Sequence, residues 1–215
     1  MSGTDGGAMR AALEAKIVAV LAHDRATRSA DDAEAEILLT AATRATERDA
    51  TKPGIAARLL AHLDDGERIR VVRLFAEEAA REPSDARRAM LEEAAVESLL
   101  SDRAAAQLAR VERTIRELDP DDARALRLIE GTRAMGIARS NAIEADLPYV
   151  DGVSRRRPFE SSPSREALEL SGVVKLGDES YRGASFGLPV LITSRGALVL
   201  ELLRAWLGDA AGGAK

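Results

Sequence analysis

The chain has 215 residues, 46% of them hydrophobic and 31% charged, with a formal net charge of −5. That balance belongs to soluble globular chains rather than disordered ones, and it lacks the basic excess on which nucleic-acid affinity usually rests. The sequence has no cysteine, so disulfides and thiolate metal sites are excluded, and its two histidines, His23 and His62, leave little for a histidine metal site.

Aromatic residues make up only 3%. A core poor in rings must be built from Ala, Leu, Val and Ile, which favours close-packed helices. No apolar run approaches the roughly 18 residues of a membrane span. The opening MSGTDGGAMR has no apolar stretch of the kind a signal peptide needs. A cytoplasmic protein is therefore expected.

Residues 1–7 are expected to be a disordered N-terminus. A helical period starts at Ala8, with Met9, Leu13, Ile17, Val20 and Leu21 on one face, and His23 closes that helix. Ser29 is placed as the N-cap of a second helix running to about Arg48, with Ala33, Ile37, Leu38, Ala41 and Ala45 on one side. Pro53 ends that region, since the residue before a proline is pushed out of helix. Ile55, Leu59, Leu60 and Leu63 mark a short third helix. Asp64 and Glu67 have the spacing of a capping box for a fourth, which carries Ile69, Val72, Phe75 and Ala79.

Pro83 closes the fourth helix, and Ser84-Asp85 opens another with Met90, Ala94, Leu99 and Leu100. Ser101-Asp102 is read as the cap of the next, whose Leu108, Val111, Ile115 and Leu118 are spaced 3, 4, 3. That seam is too short for a coiled coil and fits ordinary bundle packing. Asp119-Pro120-Asp121-Asp122 is the clearest helix start: Asp119 as N-cap, Pro120 at the first helical position, two carboxylates on the helix dipole. Ala123, Leu126 and Ile129 follow, with Gly131 as the stop. Residues 132–163 read as a loop or linker with short elements, among them Met135, Ile137 and Ile143 in a short helix and Leu147-Pro148-Tyr149-Val150 as an extended piece.

From Ser164 the pattern changes. Ser162 or Ser164 caps a short helix with Ala167 and Leu168, and Gly172 breaks it. Val173–Leu176 and Leu188–Thr193 read as strands around glycine-rich turn material, and Thr193 or Ser194 caps a closing helix with Leu198, Leu202, Leu203 and Trp206. The expected fold is mainly α: a multi-helix bundle over 8–131, and a small C-terminal winged-helix-like α+β module over 164–207, a β-hairpin between two helices. Residues 208–215 are a Gly/Ala tail, expected to be disordered.

A hairpin of this kind either completes a core or touches DNA as a wing. Two features favour the first. The helix ahead of it is short and sets Glu166 and Glu169 against Arg165. Between Asp151 and Arg195 there are seven Lys/Arg against six acids, one net positive charge.

Residues from about Val96 to Trp206, about half of the chain, resemble the Abi-alpha family of bacterial proteins, named for abortive phage infection. The resemblance lies in Leu99-Leu100-Ser101-Asp102 before a helix and in Ile115 to Leu126, like the family's "qLsPdeAriL" segment. Pro148-Tyr149-Val150-Asp151 stands at the family's short extended piece. Leu168–Val174 is similar to "LerLGLi", and Leu191–Leu203 to "LTpfGraf". The chain departs from that pattern at Ser171-Gly172-Val173 and Ser194-Arg195-Gly196. The resemblance implies a role in antiviral defence or growth arrest and carries over no site residue.

No constellation for catalysis is found, and no cofactor or metal is expected. His62, between Leu60 and Leu63, is read as surface or half-buried. Glu77-Glu78 and Glu92-Glu93 have no Glu-x-x-His beside them and are read as solvated helix faces. No glycine-rich loop precedes a Lys-Ser/Thr pair, so nucleotide hydrolysis has no support. The one patch with contact chemistry is Arg155, Arg156 and Arg157, beside Phe159 and near Tyr149, together with Arg165 and Arg182. Such a basic loop grips phosphates or single strands, or is simply solvated. The expected function is a non-enzymatic, defence-associated protein acting through protein–protein contacts, with an unknown protein partner or self-association. The alternative is a winged-helix DNA-binding regulator that uses those arginines.

Overall fold

The computed structural model describes residues 4–22, 28–134, 144–145, 157–158, 163–176 and 190–212. They are mainly helical, with a small antiparallel hairpin near the C-terminus set between helices, which is the fold class expected from the sequence. The chain divides into two compact units, Met1–Arg116 and Glu117–Lys215.

The first unit holds α1 (Thr4–Leu21), α2 (Arg28–Asp49), α3 (Ile55–His62), α4 (Gly66–Arg81), α5 (Asp85–Leu100) and α6 (Ala105–Glu117), the last ending at the unit boundary. Helix α4 packs along α5, and α2 lies against α1, α3, α4 and α5. The apolar positions of α4 recur at helical spacing and are buried: Ile69, Val71, Val72, Phe75, Ala76 and Ala79. Helix α5 is different. Met90, Leu91, Ala94, Ala95, Val96, Leu99 and Leu100 bury it on most sides, so it sits at the centre of the unit. Leu13 and Ile17 of α1 and Ile37, Leu38, Ala41 and Ala45 of α2 complete the core.

Several starts and stops follow local chemistry. Ser84 caps α5 by accepting from Arg87 N, and the carboxylate of Asp49 accepts from Ile55 N at 2.8 Å ahead of α3. The cap of α4 is Asp65, whose side chain accepts from Glu67 N and Arg68 N, one residue after the Asp64 expected. Before α6 the Gln107 side chain reaches back to Ala104 N at 3.2 Å, whereas Ser101 ends α5. Helix α1 takes in Thr4–Gly7, part of the segment expected to be disordered, and α2 begins at Arg28, ahead of the Ser29 cap.

The second unit holds α7 (Pro120–Ala134), β1 (Glu144–Ala145), β2 (Arg157–Pro158), α8 (Pro163–Leu170), β3 (Val174–Leu176), β4 (Val190–Ile192), α9 (Ser194–Leu202) and α10 (Arg204–Gly212). Asp119 accepts from Asp121 N at 2.9 Å, and Pro120 opens α7 as expected. Strands β3 and β4 pair antiparallel with Val174 opposite Ile192 and Leu176 opposite Val190, and β1 pairs with β2, Ala145 opposite Arg157. Helix α7 packs on α8, α9, α10 and β4, burying Ala123, Leu126 and Ile129. It therefore belongs with the hairpin, not with the bundle to which the 8–131 reading assigned it. A glycine alone weakens a helix without ending it, and α7 continues past Gly131 to Ala134. The closing helix is two helices that meet at Leu203, and α10 extends into the expected tail because alanines favour helix. The readings at Met135, Ile137, Ile143, Leu147–Val150, Ser162 and His23 lie outside the described residues.

The α8–β3 junction is tightly specified. Gly172 has φ 69°, and its N–H donates to Glu169 O while Val173 N donates to Leu168 O. These two bonds are a Schellman motif, with Leu168 and Val173 both buried beside it. The Thr193 hydroxyl donates to Gly172 O at 2.7 Å and accepts from Gly196 N at 3.1 Å, capping α9. A Cβ on Gly196 would stand 2.1 Å from Val173 O, so the start of α9 touches the backbone just ahead of β3.

Candidate functional site

Among the arginines singled out from the sequence, Arg155, Arg156 and Arg182 lie outside the described residues, and of Arg157 only its backbone place on β2 is described. Arg165 is on α8, where its Nε donates to Glu169 Oε2 at 3.1 Å, one helical turn on. The same helix exposes Leu170 (81%) and carries Glu166. The described part of α8 is thus neutralised and partly apolar rather than a basic reading face.

The carboxylate pairs separate residue by residue. Glu78 lies near Arg116 (3.4 Å) and Arg87 (3.8 Å). Glu93 is buried, contrary to its reading as solvated, and Arg44 Nη1 donates to both its oxygens at 2.8 and 2.7 Å. Burial pushes the Glu93 carboxyl above its usual range, and the bond from Arg44 opposes that. Arg48 donates to Glu97 at 2.7 Å in the next turn. A charge buried on such a helix needs a partner, and α5 pairs Glu93 and Glu97 along α2. No group of three residues able to hold a metal is found among the described residues.

Two side chains close the C-terminal end of α5. His62 is half-buried, and its Nδ1 donates to Leu99 O at 2.7 Å. Burial holds the imidazole below its usual range, despite that carbonyl. Arg68 is only 2% exposed and donates to the carbonyls of Ser98, Ser101 and Arg103. Cations suit the negative end of a helix. The sequence offered no sign of Arg68, because an arginine on the margin of an apolar stripe normally reaches water.

One contact surface among the described residues of the first unit is the outer face of α2. Ile37 and Leu38 are buried, and Leu39 is 51% exposed. Three consecutive apolar residues cannot all face one side of a helix, so Ile37-Leu38-Leu39 carries that signal in the sequence. Leu39 and Thr43 line two adjacent depressions. One, about 240 Å³, lies between α1 and α2, among Arg10, Leu13, Glu14, Ala42 and Thr46. The other, about 570 Å³ and wide open, runs along α2 past Asp32, Ala35, Glu36 and Arg44.

The acid at this face is not balanced. Asp32 and Glu36 are exposed, and neither has an ion pair among the described residues. Arg44, at the other end, is spent on Glu93 and Glu97. Glu92 of α5 lies close enough to Glu36 that its carboxyl is raised, by burial first and by Glu36 second, with Arg88 opposing. No helix of the described residues is long and apolar enough to cross a membrane. No protein-family model, no curated protein and no solved structure matches this chain.

Proposed function

We propose that the chain is a defence-associated bacterial protein of the abortive-infection kind, acting through protein–protein contacts and not by catalysis. The observation that supports contact chemistry is the outer face of α2. Leu39 stands exposed between two depressions there, while buried charges of the unit such as Glu93 and Arg68 are taken up internally. The defence setting rests on the resemblance of residues 96–206 to Abi-alpha proteins, and a cytoplasmic location goes with it. Phage plating on cells with and without the gene tests the reading. Protection against some phages is expected, and it is expected to fall with Leu39→Asp. Equal plating across a broad panel would count against it.

A second reading, a winged-helix DNA-binding regulator, is favoured by the order α8–β3–β4–α9. It requires a salt-dependent shift of a DNA probe that Arg155, Arg156 and Arg157 changed to Ala abolish. Absence of binding at low salt removes it.

A further inference from the structure

The surplus acid on α2 specifies what kind of surface would cover it. We propose that the groove from Asp32 to Thr43 receives an amphipathic helix of a partner protein, with apolar residues on its inner face and Lys or Arg beside them. This rests on the protein-contact reading above and adds the chemistry of the partner.

Geometry supports a helix as the occupant. Asp32, Glu36, Leu39 and Thr43 follow one another at three- and four-residue steps, so they form one ridge of α2. Ala35 and Ala42 flank the ridge in the two depressions, and small side chains there let a second helix backbone come close. Leu39, half in water, supplies an apolar centre.

Charge supports the basic flank. Asp32 stands near the N-terminus of α2, where the helix dipole already favours it. Glu36 is a turn further in and has Glu92 as its neighbour. Those two carboxylates repel each other, and the nearby guanidinium of Arg88 is shared with Asp85 and the carbonyl of Glu82. A cation from outside would relieve that repulsion; an acidic or neutral helix would not. A second copy of this chain is the less suitable occupant, because its own α2 face would bring Asp32 and Glu36 again. The exposed α1 cation beside the groove, Arg10, is already paired with Glu14 at 3.0 Å.

The test uses the full chain and two fluorescein-labelled helical peptides of about 18 residues. They share Leu at helical spacing and differ in carrying Lys or Glu on the flanks. In fluorescence anisotropy at about 50 mM salt, the Lys peptide is expected to bind about tenfold tighter than the Glu peptide. Leu39→Asp is expected to weaken it about tenfold. That substitution adds negative charge, so unspecific attraction of a cationic peptide would strengthen instead. Glu36→Lys is expected to reverse the preference. Equal binding of both peptides, no binding of either, or tighter binding by Leu39→Asp would overturn the proposal. So would a dimer in sedimentation that Leu39→Asp dissolves, since a second copy would then occupy the groove. If the peptides fail while Leu39→Asp still abolishes phage protection, this partner chemistry is wrong and the protein-contact reading survives.

Discussion

The two units tie their elements together in opposite ways. In the first, long side chains cross from helix to helix: Arg44 to Glu93, Arg48 to Glu97, Arg68 to the carbonyls that end α5. In the second, the backbone itself makes the close contacts: the Schellman turn at Gly172, the approach of Gly196 to Val173 O, the Thr193 cap. A helix buried on most sides has used its backbone bonds internally, so only side chains are left to join it to neighbours. A hairpin of three-residue strands has few side chains to bury and depends on turns and caps.

That contrast is open to direct attack. Gly196→Ala should have the largest effect on the second unit. A methyl placed 2.1 Å from a carbonyl oxygen cannot be absorbed by a rotamer change, and a loss of about 3 kcal/mol is expected. Hydrogen exchange should quicken across residues 163–202 and stay unchanged across 85–100. Arg44→Met is the matching change in the first unit. It leaves the buried Glu93 carboxylate without its donor, for a loss of about 3 kcal/mol in denaturant unfolding. Adding Glu93→Met should recover most of it; no recovery would mean that the pair is not what matters there. Thr193→Val keeps the shape and removes the cap, and about 1 kcal/mol is expected.

The smallest effect is pH-dependent. The folded His62 has its pKa below the unfolded value, because burial favours the neutral ring. Its contribution is therefore complete above the unfolded pKa, near 6.5, and is lost as pH falls below that. Melting temperature should drop between about pH 7 and pH 5, and His62→Asn should flatten that drop. An unchanged slope in the variant would assign the pH dependence to other groups.

Much of the helical pattern was legible because burial and periodicity coincide: Leu13 and Ile17, Val72 and Phe75, Leu108 and Ile115, Leu126 and Ile129 are all buried. Helix caps were legible where the chemistry is unambiguous, as at Ser84 and Asp119. They slipped by a residue where two acids compete, as at Asp64 and Asp65. The candidate contact face was less legible. Leu39 is not among the apolar positions read on the core side of α2, and Glu93 looked like one more surface acid.

By itself the sequence determined the fold class, the approximate extent of most of the described helices, and the presence of a terminal hairpin. These follow from local period, propensity and turn chemistry, which act within a few residues. Only the tertiary structure decided which helix is central, that α7 joins the hairpin, that Glu93 and Arg68 are buried, and that Leu39 faces outward beside unpaired acid. Each of those depends on what lies across from a residue, and partners 30 to 49 positions away leave no trace in the local pattern.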